Sequence, residues 1–297
     1  MVITPVLDVL RAQPALFLFI AVVFGLLIGS FLNVVIHRLP IMMQREWREQ
    51  CAWINGEEVA QSTSDQSTVY NLVVPRSACP KCEHQIVWYE NLPVLSWIAL
   101  RGRCSNCGTP ISKRYPLVEI LTGVLFGYAA WHWGVELKTL LVWGLLASLI
   151  ALAFIDLDTQ LLPDSVTLPL AWVGLLVNLN GLFCSLEQAV IGAIAGYLTL
   201  WSIYHLFKLL TGKEGMGFGD FKLLAALGAW LGWKLLLPIV LAASFAGAVF
   251  GVVMIAFAGV DRAKPMPFGP WLALGGVIAL FWGDGLLELW LGTAGRV

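Results

Sequence analysis

Apolar runs close to the length of a bilayer crossing recur along this chain, and few folds can accommodate them. A hydrocarbon core of roughly 30 Å needs about 20 mostly apolar residues per helix. The first run covers residues 16–36, and others follow at 117–134, 139–155, 165–184, 187–210, 220–233, 235–259 and 269–291. They predict an all-α polytopic membrane protein of about eight transmembrane helices. The run 220–233 is short and opens on Asp220; read as a half-span or a tilted helix, it lowers the total to seven. The first run exceeds the 7–15 apolar residues of a signal-peptide core and meets no small-residue cleavage site before His37-Arg38, so it is expected to be retained. With 59% hydrophobic and 12% charged residues, against about 25% charged in soluble domains, a cytosolic globule is excluded. Eighteen Lys and Arg against nineteen Asp and Glu leave no basic excess for a phosphate backbone, so the lipid bilayer and not nucleic acid is the expected partner.

Basic residues give the orientation, because Lys and Arg accumulate in cytoplasmic loops. With eight spans and an outside N-terminus, one side holds fourteen of them: Arg38, Arg45, Arg48, Arg76, Lys81, Arg101, Arg103, Lys113, Arg114, Lys208, Lys213, Lys222, Arg262 and Lys264. Four, Arg11, Lys138, Lys234 and Arg296, lie opposite. The expected organisation is an N-terminal span (1–36), a small cytoplasmic module (37–115) and a multi-span domain (116–297). Within the module, residues 41–71 read as a loop or insertion. Three pairs, Gly25/Gly29, Gly192/Gly196 and Gly247/Gly251, have the spacing that lets two helices approach closely.

The module carries Cys79-x-x-Cys82 and, twenty-one residues on, Cys104-x-x-Cys107. That spacing is close to a four-thiolate zinc ribbon. In a reducing compartment Zn²⁺ explains paired thiols better than disulfides do; the alternative is a redox-active pair. Four thiolates close the tetrahedral shell, so the zinc is expected to be structural. His84 then reads as a loop histidine, Cys51 as a surface thiol and Cys184 as a small apolar filler.

Charged side chains at the edge of a span are costly and suggest function. Asp156 ends the third run and Asp220 opens the sixth, both on the cytoplasmic side. Two carboxyls within hydrogen-bond reach share a proton and titrate as a unit, able to activate a water and protonate a leaving amine. The plainer reading is that Asp156, Asp158 and Asp164 solvate a loop and Asp220 caps a helix. Gly215-x-Gly217-x-Gly219 leaves room for backbone to come close; no βαβ pattern or Gly-Lys-Ser/Thr supports a phosphate loop.

Several segments together resemble those of the type IV prepilin peptidases. They are Gly29-Ser30-Phe31-Leu32-Asn33 through His37-Arg38-Leu39-Pro40, the two Cys pairs, the Asp156 segment through Leu162-Pro163-Asp164, the Gly-x-Gly-Asp-x-Lys run ending at Lys222, and Pro267-Phe268-Gly269-Pro270. The resemblance implies a bifunctional enzyme of a bacterial inner membrane, with Asp156 and Asp220 catalytic and no catalytic role for Asp158 or Asp164. It implies as substrates prepilins and type II secretion pseudopilins, cut after a Gly at the cytoplasmic border of their hydrophobic helix. The new N-terminal residue, usually Phe, is then methylated from S-adenosylmethionine. No Gly-rich nucleotide fingerprint marks a site for that donor. Glu119 and the module are candidates by location, against a plainer pairing of Glu119 with Arg114 or another base. The competing classes are a proton-coupled transporter, which calls for carboxylates near the midplane, and a scaffold presenting a zinc ribbon, which leaves Asp220 and its glycines unexplained.

Overall fold

Helices make up nearly all regular structure in a computed structural model of the chain, which describes residues 3–56, 70–213, 215–258 and 266–291. Among these residues there are no strands, only the isolated bridges Ala78 to Gln85 and Arg103 to Pro110. Two compact units divide the chain, Met1–Ala151 and Leu152–Val297.

In the first unit, α1 (Ile3–Ala12) precedes α2 (Pro14–Ile54), where proline occupies the start of the helix and sacrifices no hydrogen bond. The short α3 (Leu95–Ala99) and then α4 (Arg114–Trp133) follow. Gly25 and Gly29 set α2 against α4: a Cβ on Gly25 would lie 2.8 Å from the Gly123 Cα, and one on Gly29 would lie 2.6 Å from the Glu119 Cα. On α5 (Leu137–Thr159), Trp143 stacks on Phe126 with ring centroids 5.3 Å apart. Its indole donates to the Phe126 carbonyl at 2.9 Å. The expectation of a loop from residue 41 is corrected, because α2 continues as helix to Ile54. Its extension is rich in Met, Gln, Arg and Glu, polar enough to leave the bilayer yet made of strong helix formers. Residues 57–69 of that expected loop, and Arg262, Lys264 and Arg296 of the charge count, lie outside the described residues.

The second unit is arranged around a buried helix, α8 (Phe218–Leu231), in which every residue from Asp220 to Leu231 except Lys222 and Ala225 is buried. It packs against α6 (Asp164–Val177), α7 (Leu186–Thr211) and α10 (Gly269–Leu291), while α9 (Leu236–Ala258) packs on α10. A helix apolar on all sides belongs inside a bundle. Gly192 and Gly196 make this packing close: Cβ atoms there would strike the Gly228 carbonyl and, at 2.6 Å, the Leu224 carbonyl. Gly247 and Gly251 instead make room for the side chains of Trp271 and Met266. At the C-terminal end of α8, fully buried Asn178 donates to the carbonyls of Ala229 and Trp230 at 2.9 and 3.0 Å, groups that a helix end leaves unpaired. The Trp230 indole donates to the Leu170 carbonyl at 2.8 Å.

Among the described residues, five of the eight expected spans lie in helices long and apolar enough to cross a membrane: Pro14–Ile54, Leu137–Thr159, Leu186–Thr211, Trp233–Phe257 and Gly269–Glu288. Helices α6 and α8 have 14 residues each, about 21 Å at 1.5 Å per residue, short of a full crossing. Five such helices make this a multi-pass membrane protein.

Candidate functional site

Each unit gathers one cluster of chemistry-bearing side chains. In the second unit, α5 delivers Asp156 from its last turn and ends where Gln160 adopts a left-handed φ of 56°. Helix α8 delivers Asp220 from its first turn, where the helix dipole favours an acidic side chain. Both aspartates are only 5% exposed. The backbone N–H of Gly269, the first residue of α10, donates to Asp156 Oδ2 at 2.9 Å. The Gly217 N–H hydrogen-bonds the Asp220 carboxyl. Among the described residues, Asp220 Oδ1 is the buried side-chain oxygen or nitrogen without a hydrogen-bond partner. Leaving a buried acceptor unsatisfied costs about 1–3 kcal/mol, so this oxygen is suited to a group arriving from outside the protein.

Glycines bring the three segments together. A Cβ on Gly219 would lie 2.6 Å from the Leu162 Cβ, and one on Gly269 would lie 2.6 Å from Asp156 Oδ2 and 3.2 Å from Leu162 Cδ2. Leu162 thus packs against the first turns of both α8 and α10, beside the carboxyls. Asp164 is engaged elsewhere, with both its oxygens 2.7 Å from the Lys222 ammonium, and Asp158 is exposed. The first turns of α8 and α10, which carry Asp220 and the N–H that holds Asp156, thus converge on Leu162, while Asp164 is engaged by Lys222. Sequence reading quoted Gly269 and Leu162 within motifs without giving them a role, and it missed Asn178; an Asn inside an apolar run was the available signal.

In the first unit, the sulfurs of Cys79, Cys82, Cys104 and Cys107 all lie within 4.8 Å of one another. Two knuckles of the same construction present them. In one, the Cys79 N–H donates to the His84 carbonyl at 2.9 Å and the Glu83 N–H to the Cys79 carbonyl at 2.9 Å. In the other, Cys104 N–H to Thr109 carbonyl (2.8 Å) and Gly108 N–H to Cys104 carbonyl (3.0 Å) repeat the pattern. Each turns on a left-handed residue directly after its second cysteine, Glu83 (φ 57°) and Gly108 (φ 69°). The Cys79 to Cys107 and Cys82 to Cys104 sulfur distances are 3.7 and 3.9 Å. A tetrahedron with Zn–S bonds of about 2.3 Å has edges of about 3.8 Å, so the cluster fits a zinc module. Hydrogen bonds with Thr109 also engage the Cys107 thiol, its sulfur 3.1 Å from the Thr109 hydroxyl. His84 pairs with Glu90 at 3.2 Å and contributes only its backbone to the knuckle. Cys51 is exposed, and Cys184 is half-buried with its thiol directed at the Trp230 carbonyl.

Two charged side chains of this unit are also buried. Arg38 donates to the carbonyls of Asn71 and Pro75 at 2.9 and 2.7 Å, tying the module to α2. Glu119 does not take the base pairing expected for it. Among the described residues its hydrogen bonds come from the Val94 N–H, at 2.7 Å, and from the Ser30 hydroxyl.

Residues 23–133, which include all four clustered cysteines, match the bacterial peptidase A24 N-terminal domain, and residues 143–252, which include both aspartates, match the type IV leader peptidase family. The chain is 53% identical over 292 residues to the prepilin leader peptidase/N-methyltransferase of Stutzerimonas stutzeri, covering 97% of this chain and 98% of that one. This chain belongs to the type IV leader peptidase family. The same description applies to family members from Pseudomonas aeruginosa, 50% identical over 295 residues (98% and 99% of the two chains), and from Burkholderia pseudomallei, 55% identical over 263 residues (89% and 84%). No solved structure matches the chain.

Proposed function

We propose that this family member removes the leader peptides of type IV prepilins and type II secretion pseudopilins at the cytoplasmic face of the bacterial inner membrane, then N-methylates the new N-terminal residue with S-adenosylmethionine. The single observation carrying the peptidase half is the burial of two carboxyls on helices whose ends converge on Leu162, one of which keeps an uncommitted oxygen. Two carboxyls brought within hydrogen-bond reach hold a single proton between them. The ionised one takes a proton from a water as it attacks the scissile carbonyl, and the protonated one supplies a proton to the departing amine. The Gly269 N–H holds Asp156 in position for this exchange. No covalent enzyme intermediate is required.

In the methyl-transfer half, S-adenosylmethionine supplies the methyl group. The four cysteines would hold a structural Zn²⁺, since a complete thiolate shell leaves no position for a reacting ligand. The arrangement of N-terminal span, module at 37–115 and peptidase domain from 116, with module and aspartates cytoplasmic, is supported by the distribution of basic residues.

Reconstituting the chain in nanodiscs with a pseudopilin precursor and isotope-labelled S-adenosylmethionine tests both halves. The expected product is shortened and carries label on its N-terminus; a precursor left intact overturns the peptidase reading, and a shortened, unlabelled product overturns the methyltransferase reading. A finer test uses Gly269→Ala. Its new methyl group would crowd Asp156 Oδ2, and misplacing a catalytic group by about 1 Å costs about 10²-fold. Cleavage is expected to fall by about that factor while the protein stays folded, and an unchanged rate would show that Asp156 tolerates displacement.

A further inference from the structure

The peptidase chemistry makes no use of Glu119. It sits on α4, is 8% exposed, and among the described residues receives hydrogen bonds only from the Val94 N–H and Ser30. These occupy two of the roughly four acceptor positions of a carboxylate. A buried carboxylate without a cation is costly, and here one of its donors sits in an unusual backbone conformation. Val94 has φ 61° and ψ −47°, and the Leu95 N–H closes a three-residue turn onto the Pro93 carbonyl at 2.5 Å. That conformation is rare and strained, more so for a β-branched residue. Strain of this kind collects at functional sites. The close approach at Gly29 is what lets the neighbouring Ser30 reach the same carboxylate. Beside the turn, Leu92, Leu95 and Ile98 are exposed and apolar.

We propose that Glu119 receives the α-ammonium group of the cleaved substrate for methyl transfer. The proposal rests on the methyltransferase reading above and names the amine subsite within it. Methylation needs a neutral amine, and the group exposed by peptide cleavage is mostly protonated at neutral pH. The ammonium binds the two remaining acceptor positions and passes one proton to the carboxylate. Its freed lone pair forms a bond to the methyl carbon of S-adenosylmethionine as the sulfur–methyl bond breaks, the sulfonium leaving as a neutral thioether. The product is a methylated ammonium, and Glu119 then releases its proton to solvent. The apolar rim suits the hydrophobic residues that follow the amine.

Glu119→Gln separates this role from a structural one, because the amide oxygen still accepts the Val94 N–H while the charge is lost. Two probes are compared in nanodiscs without methyl donor: a peptide of the mature pseudopilin N-terminus, and the same peptide N-acetylated. Glu119→Gln is expected to weaken binding of the free-amine peptide roughly 10–100-fold, as for loss of a charged hydrogen bond. Binding of the acetylated peptide should not change. With S-adenosylmethionine added, methylation of the free-amine peptide falls in parallel, while precursor cleavage continues at the wild-type rate. Equal effects on both peptides, or wild-type behaviour of the Gln variant, overturn the proposal. If the wild-type chain binds the free-amine peptide in preference to the acetylated one but never methylates it, the methyltransferase reading fails and this use of Glu119 fails with it.

Discussion

Asp156→Asn and Asp220→Asn are each expected to lower precursor cleavage by about 10²–10⁴-fold, the usual contribution of a positioned acid or base. Asparagine has the size of aspartate and keeps one carbonyl acceptor, so at position 156 the Gly269 N–H retains its partner. At position 220 the first turn of α8 stays intact, since its packing comes from the residues that follow. What disappears is the ability of the pair to pass a proton between water and leaving group. Because the two act as one unit, the double variant should be no slower than the worse single variant. The assay is single-turnover cleavage in detergent or nanodiscs, with thermal unfolding as the check on folding. Near-normal cleavage by either variant removes that residue from the mechanism, and additive losses show that the two carboxyls act independently.

Stripping the metal from the cysteine cluster, or changing Cys79 or Cys104 to Ser, should have the largest structural effect outside the membrane helices. Structural zinc in small modules supplies about 10–16 kcal/mol of binding free energy that is in effect folding free energy. Beyond its ties to Arg38 and Glu119, the segment 70–112 is two knuckles, two short helical pieces and turns. Wild-type protein should contain about one zinc per chain by native mass spectrometry. Either cysteine variant should lose it, and amide exchange should accelerate through both knuckles, Ala78 to Gln85 and Arg103 to Pro110. Retained zinc together with unchanged exchange would refute the tetrad. Loss from only one knuckle would show that the two halves do not share an ion.

The two clusters were legible in the sequence to different depths. Cys79, Cys82, Cys104 and Cys107 announce themselves because a knuckle is local: four residues fix each pair, and the hydrogen bonds around it run within six residues. Asp156 and Asp220 were legible as carboxyls stranded at the ends of apolar runs. The convergence of their segments on Leu162 was not, because it depends on α8 threading a bundle of α6, α7 and α10. The polar extension of α2 misled the reading because polarity marks where a chain leaves the bilayer, not where a helix stops. The short helices α6 and α8 also resist hydropathy, since burial inside protein and burial in lipid select the same side chains.

The amino-acid order alone determined that this chain is a helical membrane protein with a thiolate module and acidic residues at the helix ends, because burial of apolar surface and metal-ligand spacing act over short stretches of chain. Only the tertiary structure decided which acids are buried, which glycine N–H holds one of them, and that Glu119 faces a strained turn instead of a base. Those pairings join residues that are 25 to 113 positions apart, and side chains at such separations meet only through the packing of whole helices.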